Sequence, residues 1–159
     1  MSNGKAEHHT MTTNRTPEEI KALKGRGWLL NKGTDTFSLS EKIHTRFYIG
    51  WHGVKLPGKF KIGVGGCPNN CIKPNLNDIG VAGAIFPGGK RGYQITLGGH
   101  WGRTGAAGIP VPVILDSEDA VLDFIERTLA FYRDNGQAGE RFFKTLERIG
   151  FDTALKMIG

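Results

Sequence analysis

The segment FKIGVGGCPNNCIKPNLNDIGVAG, residues 60–83, carries the pattern on which the interpretation of the whole chain depends. An apolar run and two glycines lead into a C-x3-C segment that contains Cys67 and Cys71, the two cysteines of the sequence. Pro68 fixes one backbone angle and removes an amide donor, and the two asparagines after it tolerate left-handed turn conformations. The pattern predicts a strand that ends in a tight loop with two thiols, and thiolates are preferred ligands of iron–sulfur clusters and zinc.

The bulk composition is that of one ordinary domain with an unusual amount of glycine. The chain has 159 residues, of which 38% are hydrophobic and 23% are charged, so it is long enough for one domain with a core. Its 24 glycines are about twice the usual share, and their position at predicted strand ends fits close approach of the backbone to a flat ligand. The net charge of +6 indicates either simple solubility or attraction of an anion. The sequence lacks the clustered basic residues with interleaved aromatics that are typical of nucleic-acid binding.

Cysteine usage and hydropathy together predict a cytoplasmic location. No stretch approaches the roughly 20 apolar residues of a membrane span, and no apolar signal segment follows Met1. Two cysteines separated by three residues, in a chain without such a signal, argue against a disulfide scaffold. They indicate metal or redox use in a reducing compartment.

Helix signals lie on both sides of the cysteine segment. Residues 1–15 are polar and aperiodic, which predicts a disordered tail, and a short helix begins at Thr16. Ser38 and Glu41 form a capping box, which predicts a helix over residues 39–50. Later helices are predicted from Asp116 or Ser117, over about 139–148, and after Asp152. The apolar positions of the 39–50 helix and of the helix from Asp116 or Ser117 are Leu39, Ile43, Phe47, Val121, Leu122, Ile125, Leu129 and Tyr132.

Three strands are predicted between these helices. They cover about 60–64, 78–84 and 93–97, and the turn-forming PGGKRG at 87–92 joins the last two as a hairpin. The order of two helices, three strands and two or more helices predicts an α+β fold, in which helices cover a small, mainly antiparallel sheet.

Several segments resemble one protein family. GCPNNC followed by DIGVAG resembles the second cysteine motif of the siroheme-dependent sulfite and nitrite reductases, and GYQITLGGHWGRTG and FYRDNGQAGERFFKTLERIG resemble its C-terminal segments. The resemblance covers residues 36–150 and implies the C-terminal half of the family fold, with a [4Fe–4S] cluster and siroheme as cofactors. It also implies reduction of sulfite to sulfide or of nitrite to ammonia, with electrons from a ferredoxin or a reductase subunit.

The resemblance assigns roles to individual residues. It implies that Cys67 is a cluster ligand, that Cys71 is a cluster ligand whose thiolate bridges to the siroheme iron, and that Asn69 lies beside the macrocycle. In the GGHWGRTG segment, Arg103 is the preferred candidate for contact with a cofactor carboxylate. The other candidate anion contacts are Lys73, Lys90 and Arg91.

The sequence also departs from the family pattern. The family has a first cysteine pair just before the helix predicted at 39–50, where this chain reads NKGTDTFSLSEKIH. This departure suggests an internal deletion that joins two parts of the family sequence at TDTFSL. The predicted organisation is a tail at 1–15, a remnant of an N-terminal ferredoxin-like half at 16–37, and the 4Fe–4S and siroheme domain at 38–159.

Because a [4Fe–4S] cluster normally takes four thiolates, several alternatives stay open. A second subunit completes the ligand set in one of them, and His52 and His100 assist in another. In a further alternative, the chain is a non-catalytic iron–sulfur electron-transfer or metal-binding module. In the last two, Cys67 and Cys71 belong to a zinc site, or they are free thiols in a loop that binds no metal. Turnover by this chain alone is not expected.

Overall fold

The computed structural model describes residues 36–66 and 69–159. The predicted tail at 1–15 and the helix predicted from Thr16 lie outside these residues. The helices are α1 (Thr36–Ile43), α2 (Glu118–Asn135), α3 (Phe142–Ile149) and α4 (Phe151–Ile158), and the strands are β1 (Ile62–Gly65), β2 (Ile79–Ile85), β3 (Arg91–Leu97) and β4 (Ile109–Leu115).

The four strands form one sheet in the order β1-β2-β3-β4. β1 and β2 are parallel, whereas β2 with β3 and β3 with β4 are antiparallel. The predicted hairpin is confirmed, and its turn is closed by a 2.7 Å bond from Phe86 N to Lys90 O. Gly88 and Gly89 take positive φ angles in that turn, which side chains other than glycine rarely adopt. The predicted α+β fold with a mainly antiparallel sheet is confirmed.

Strand β4 is absent from the prediction because its sequence, IPVPVIL, contains two prolines. Proline lacks the amide that a strand donates to its neighbour, so a proline-containing run counts against a central strand. The structure places β4 at the edge of the sheet, where one side needs no partner, and the register shifts between Gln94 and Thr96 of β3. The edge position and the irregular register together make room for Pro110 and Pro112.

The helices cover one face of this sheet and enclose the core. α1 packs against β1 and α2 packs against β4, and the apolar positions predicted for both helices are buried. On α3, Phe142 and Leu146 are buried, whereas Phe143 is half-buried. Within the residues that the structure describes, no helix has the length and apolar content that crossing a membrane requires.

The start of α1 differs from the prediction. The helix already includes Thr36, so Ser38 is not its cap, and the capping box with Glu41 is wrong. The hydroxyl of Ser38 instead donates to the carboxylate of Glu118 on α2, at 3.2 Å. After Ile43 the chain continues as a π-helical segment, His44–Ile49. The predicted cap at Ser117 is confirmed, because its side chain accepts a hydrogen bond from Ala120 N.

Three glycines allow the chain to pack against itself. A Cβ atom on Gly99 would lie 2.0 Å from Asn75 O, and one on Gly80 would lie 2.7 Å from Pro74 O. A Cβ atom on Gly63 would lie 2.3 Å from Asn77 Nδ2. These glycines therefore admit the chain's own 74–77 segment, whereas the sequence alone suggested that glycines admit a flat ligand.

Replacing Gly99 tests this close packing. We expect Gly99→Ala to lower the free energy of unfolding by about 2 kcal/mol or more, because the added methyl group meets backbone that cannot move aside without breaking contacts. Gly53→Ala is the matched control, since no atom lies within 4 Å of its Cβ position. Urea unfolding of both variants measures the difference. Equal stability of Gly99→Ala and wild type would show that the segment is not packed as described.

Candidate functional site

The face of the sheet opposite the helices, called the open face here, carries short side chains. It is formed by Gly63 and Gly65 of β1, Gly80, Ala82 and Ala84 of β2, and Gln94 and Thr96 of β3. Its residues alternate with the buried core residues along each strand, as the two faces of a sheet require. The open face can therefore accept a chain segment or a ligand at close range.

The cysteine loop, residues 69–77, lies across one end of the open face. Lys73 N donates to Asn70 O at 3.0 Å, and Asn70 Nδ2 donates to Asn75 Oδ1 at 2.8 Å. Asn70 and Lys73 both take left-handed backbone angles, with φ of 56° and 51°. The left-handed conformation expected for an asparagine of this segment is thus observed at Asn70. Cys71 lies between these two residues and is exposed.

The glycine loop, residues 98–108, contacts the cysteine loop. His100 and Ala106 exchange two backbone hydrogen bonds of 3.0 Å, which close the glycine loop at its base. Gly108 N donates to Asn75 O at 2.7 Å, so the two loops meet at Asn75. Arg103 lies in the exposed part of the glycine loop, beside Trp101, which is 71% exposed.

A cleft of about 320 Å³ lies between the open face and the cysteine loop. Residues of β2 form its floor together with Gln94 and Thr96, and Asn70 and Asn75 form one wall; the β2 residues are Gly80, Ala82, Gly83, Ala84 and Ile85. Thr96 Oγ1 is buried and has no hydrogen-bond partner among the described residues. Of the residues that the structure places around this cleft, none is charged. The cleft thus offers an apolar surface with a few neutral polar atoms.

Sequence analysis missed Gln94 and Thr96 as site residues. The signal was present, because polar residues alternate with Tyr93, Ile95 and Leu97 along β3. That alternation indicates one face away from the core. The alternation alone indicates a strand, because the sequence does not show that the cysteine loop returns over that face.

Asp78 joins the sheet to α3 beneath the cysteine loop. Its side chain is fully buried, its Oδ2 accepts from Lys61 N at 2.8 Å, and Arg141 Nη2 lies 3.5 Å from the same oxygen. Asp78 Oδ1 and Arg141 Nε have no hydrogen-bond partners among the described residues. Burial raises the pKa of Asp78 to about 6, because the cost of charging a buried carboxylate outweighs the attraction of Arg141.

The structure places the predicted site residues as follows. Asn69 and Cys71 are exposed on the cysteine loop, and Arg103 is exposed on the glycine loop. Cys67 lies outside the described residues. The packing at Asn75 brings the two loops together, and a common role of Arg103 and Cys71 stays a prediction.

The donor set does not fit a [4Fe–4S] cluster held by one copy of this chain. Such a cluster takes about four protein thiolates, and the sequence contains two cysteines. Among the described residues, no group of three or more His, Cys, Asp or Glu side chains is placed to hold a metal ion. His100 instead stacks on Phe143, with ring centroids 3.9 Å apart. The structure therefore offers no support for completion of the ligand set by this histidine.

Comparison with known proteins gives consistent matches. The family model described as "Nitrite and sulphite reductase 4Fe-4S domain" matches residues 14–159. The chain is 27% identical over 136 residues to a nitrite reductase [NAD(P)H] of Bacillus subtilis, which covers 86% of this chain and 16% of that protein. It is 31% identical over 110 residues to a sulfite reductase [NADPH] hemoprotein beta-component of Staphylococcus haemolyticus, which covers 64% of this chain and 19% of that protein.

A solved structure shares the fold. The NirA protein of Mycobacterium tuberculosis superposes with a TM-score of 0.56 and 26% sequence identity, over 74% of this chain and 22% of that one. The chain thus spans less than a quarter of the length of these three proteins. The matches confirm the resemblance seen in the sequence. The name of the family includes a 4Fe–4S cluster, and the name of the Staphylococcus haemolyticus relative describes a hemoprotein.

The raised pKa of Asp78 predicts how stability depends on pH. The pKa is about 6 in the folded chain and near 3.8 in the unfolded chain, so the folded chain keeps a proton that the unfolded chain releases. The free energy of unfolding should therefore fall as pH rises from about 4 to about 6, by on the order of 3 kcal/mol.

Asp78→Asn should flatten this part of the stability profile, which urea unfolding at several pH values measures. The exposed Asp116→Asn is the matched control and should leave the profile unchanged. An unaltered profile in Asp78→Asn would contradict the buried, proton-retaining carboxyl.

Proposed function

Because the chain belongs to the nitrite and sulphite reductase 4Fe-4S domain family, we propose that it is a cofactor-binding module of a siroheme-dependent oxidoreductase that reduces sulfite to sulfide or nitrite to ammonia. The observation that carries the proposal is the exposed Cys71, held on an ordered loop beside the open face. The chain spans only part of the length of its relatives, and the given sequence supplies two of the four thiolates that such a cluster takes.

Within this proposal, each predicted residue has a physical task. Cys67 and Cys71 supply thiolates to iron, and Asn69 lies on the same loop and contacts the macrocycle. Arg103 is a fixed positive charge with several donors, suited to a carboxylate of the cofactor. When bound, the cluster and siroheme supply electron transfer and an iron that binds the substrate anion.

The cleft is suited to part of a macrocycle. Its uncharged lining matches the apolar face of a flat ring system, and Thr96 Oγ1 offers a hydrogen bond at its floor. Carboxylates would be costly in this lining and belong outside it. Lys73 on the cysteine loop and Arg103 on the glycine loop are exposed cations that could serve them. The net charge of +6 also favours an anionic cofactor and an anionic substrate.

The second candidate function is a non-catalytic iron–sulfur electron-transfer or metal-binding module. The observation that favours it is the absence of charged groups among the described residues that line the cleft, because an anionic substrate would find no partner there. Siroheme binding separates the two functions, since only the reductase module requires it.

The remaining predictions concern partners, location and domain division. An electron donor, a ferredoxin or a reductase subunit, would deliver electrons to the assembled enzyme, and the location would be cytoplasmic. The division into a remnant at 16–37 and a domain at 38–159 also stays a prediction. Sequencing the genomic locus for a longer reading frame around TDTFSL tests the deletion.

Cofactor titration tests the proposed roles. The full chain, prepared anaerobically with iron and sulfide, should develop the visible absorption of an iron–sulfur cluster, and added siroheme should bind. Arg103→Ala should weaken siroheme binding by about tenfold to a hundredfold, since a hydrogen bond to a charged group contributes about 1.5 to 3 kcal/mol. Arg103→Lys should restore part of the affinity.

Arg127→Ala, on the exposed surface of α2, is the matched control for charge. It should leave siroheme affinity unchanged. An equal loss of siroheme affinity in both arginine variants would show that Arg103 contributes only through the net charge of the chain. Failure of the wild-type chain to bind siroheme would favour the second candidate function.

A further inference from the structure

We propose that Asp78 and Arg141 form a pH-operated clasp, which closes when the carboxyl group of Asp78 is ionised and then holds α3 against the base of the glycine loop. The clasp belongs to the chain itself and needs no cofactor, so its test is independent of the proposed function. It is inferred from an ion pair beneath the two loops that is only partly formed.

The partly formed pair lacks the contact that would complete it. Arg141 Nη2 lies 3.5 Å from Asp78 Oδ2, which is longer than a normal hydrogen bond between these atom types. Asp78 Oδ1 and Arg141 Nε are both buried, and neither has a hydrogen-bond partner among the described residues. Nε and Nη2 are the donors on one side of a guanidinium group, and a carboxylate can accept from both at once. The two atoms without partners are therefore those that the second arm of a bidentate pair would join.

Ionisation of Asp78 favours the closed form. A neutral carboxyl group needs no cation beside it, whereas a buried carboxylate is costly unless charged donors reach it. A shift of Arg141 by about 0.7 Å would shorten the Nη2–Oδ2 distance from 3.5 Å to the value of about 2.8 Å that is typical of such pairs. Because burial raises the pKa of Asp78 to about 6, the clasp should close as pH rises through about 6. Closing offsets only part of the cost of burial, so the expected fall in the free energy of unfolding remains.

The other groups that face Asp78 from neighbouring elements keep one charge state near pH 6. Tyr132 on α2 interacts electrostatically with Asp78, and burial raises the pKa of its hydroxyl, which stays neutral. Glu140 acts on the same hydroxyl, and the hydrogen bond from Arg148 lowers the pKa of Glu140 to about 2, so this carboxylate stays charged. At the start of β1, Asp78 meets the backbone amide of Lys61, which does not titrate. The change in charge at this junction is therefore that of Asp78.

Arg141 is placed to transmit its movement to α3. It immediately precedes this helix, and its carbonyl oxygen accepts from Lys144 N at 2.9 Å and from Thr145 N at 3.1 Å. One residue into the helix, Phe143 stacks on His100 at the base of the glycine loop, with ring centroids 3.9 Å apart. A shift of Arg141 towards the carboxylate would therefore press the first turn of α3 against the loop.

Asp78 holds the glycine loop from the other side. Its carbonyl oxygen accepts from Gly98 N at 2.9 Å, at the start of the loop. A Cβ atom on Gly98 would lie 3.0 Å from Leu146 Cδ1, so the loop and α3 are already in close contact here. The closed clasp would fix the base of the loop between β2 and α3. Because Arg103 lies in this loop, its position would depend on pH.

NMR spectroscopy of the full chain, from about pH 4 to about pH 8, tests the clasp. The carboxyl carbon signal of Asp78 gives the midpoint of its ionisation. Above that midpoint, exchange of the Arg141 Nε proton with water should slow about tenfold relative to the Nε proton of the exposed Arg127, because an added hydrogen bond to a charged group must first break. A ratio of the two exchange rates that stays constant through the midpoint would overturn the proposal.

Two variants separate movement of α3 from the charge of Asp78 alone. In the wild-type chain, the ring signals of Phe143 should shift at the Asp78 midpoint, and Asp78→Asn should retain only the part of the shift that His100 causes, since histidine also titrates near neutral pH. Arg141→Lys keeps the positive charge but lacks the second donor arm, so Asp78 should still ionise while the Phe143 signals no longer follow it. A Phe143 response equal to that of the wild type in either variant would overturn the proposal.

Discussion

The close approach of the 74–77 segment to the sheet is the constraint on which the site depends. Asn75 O accepts from Gly108 N and lies where a side chain on Gly99 would be. This contact fixes the cysteine loop and the glycine loop to each other and to the end of β3. Because backbone lies against backbone here, a small shift at Asn75 would move both the thiol of Cys71 and the segment that carries Arg103.

A buried charge network supports this arrangement from the core side. Asp78 follows the cysteine loop, accepts from Lys61 at the start of β1, and its carbonyl accepts from Gly98 N at the start of the glycine loop. Arg141 brings α3 to the same point. These bonds join the start of β1, the glycine loop and α3 at one point. Because burial raises the pKa of Asp78 to about 6, the charge at this junction depends on pH.

The structure separates the parts of cofactor binding that this chain possesses from those that it lacks. It possesses an ordered loop with an exposed thiol and an uncharged cleft on the open face. It lacks half of the thiolates of a four-thiolate cluster, and its described cleft lining lacks charge.

The sequence by itself determined the α+β class, the hairpin of β2 and β3, the buried helix positions and the family, because each depends on local periodicity, turn residues or a contiguous motif. Only the tertiary structure decided that β4 joins the sheet, since an edge position tolerates prolines that a central position excludes. It also decided that Ser38 bonds Glu118 instead of capping α1, and that Gln94 and Thr96 line a cleft with Asn75. These contacts join residues far apart in the chain, and no local pattern encodes which distant group will be near enough to bond.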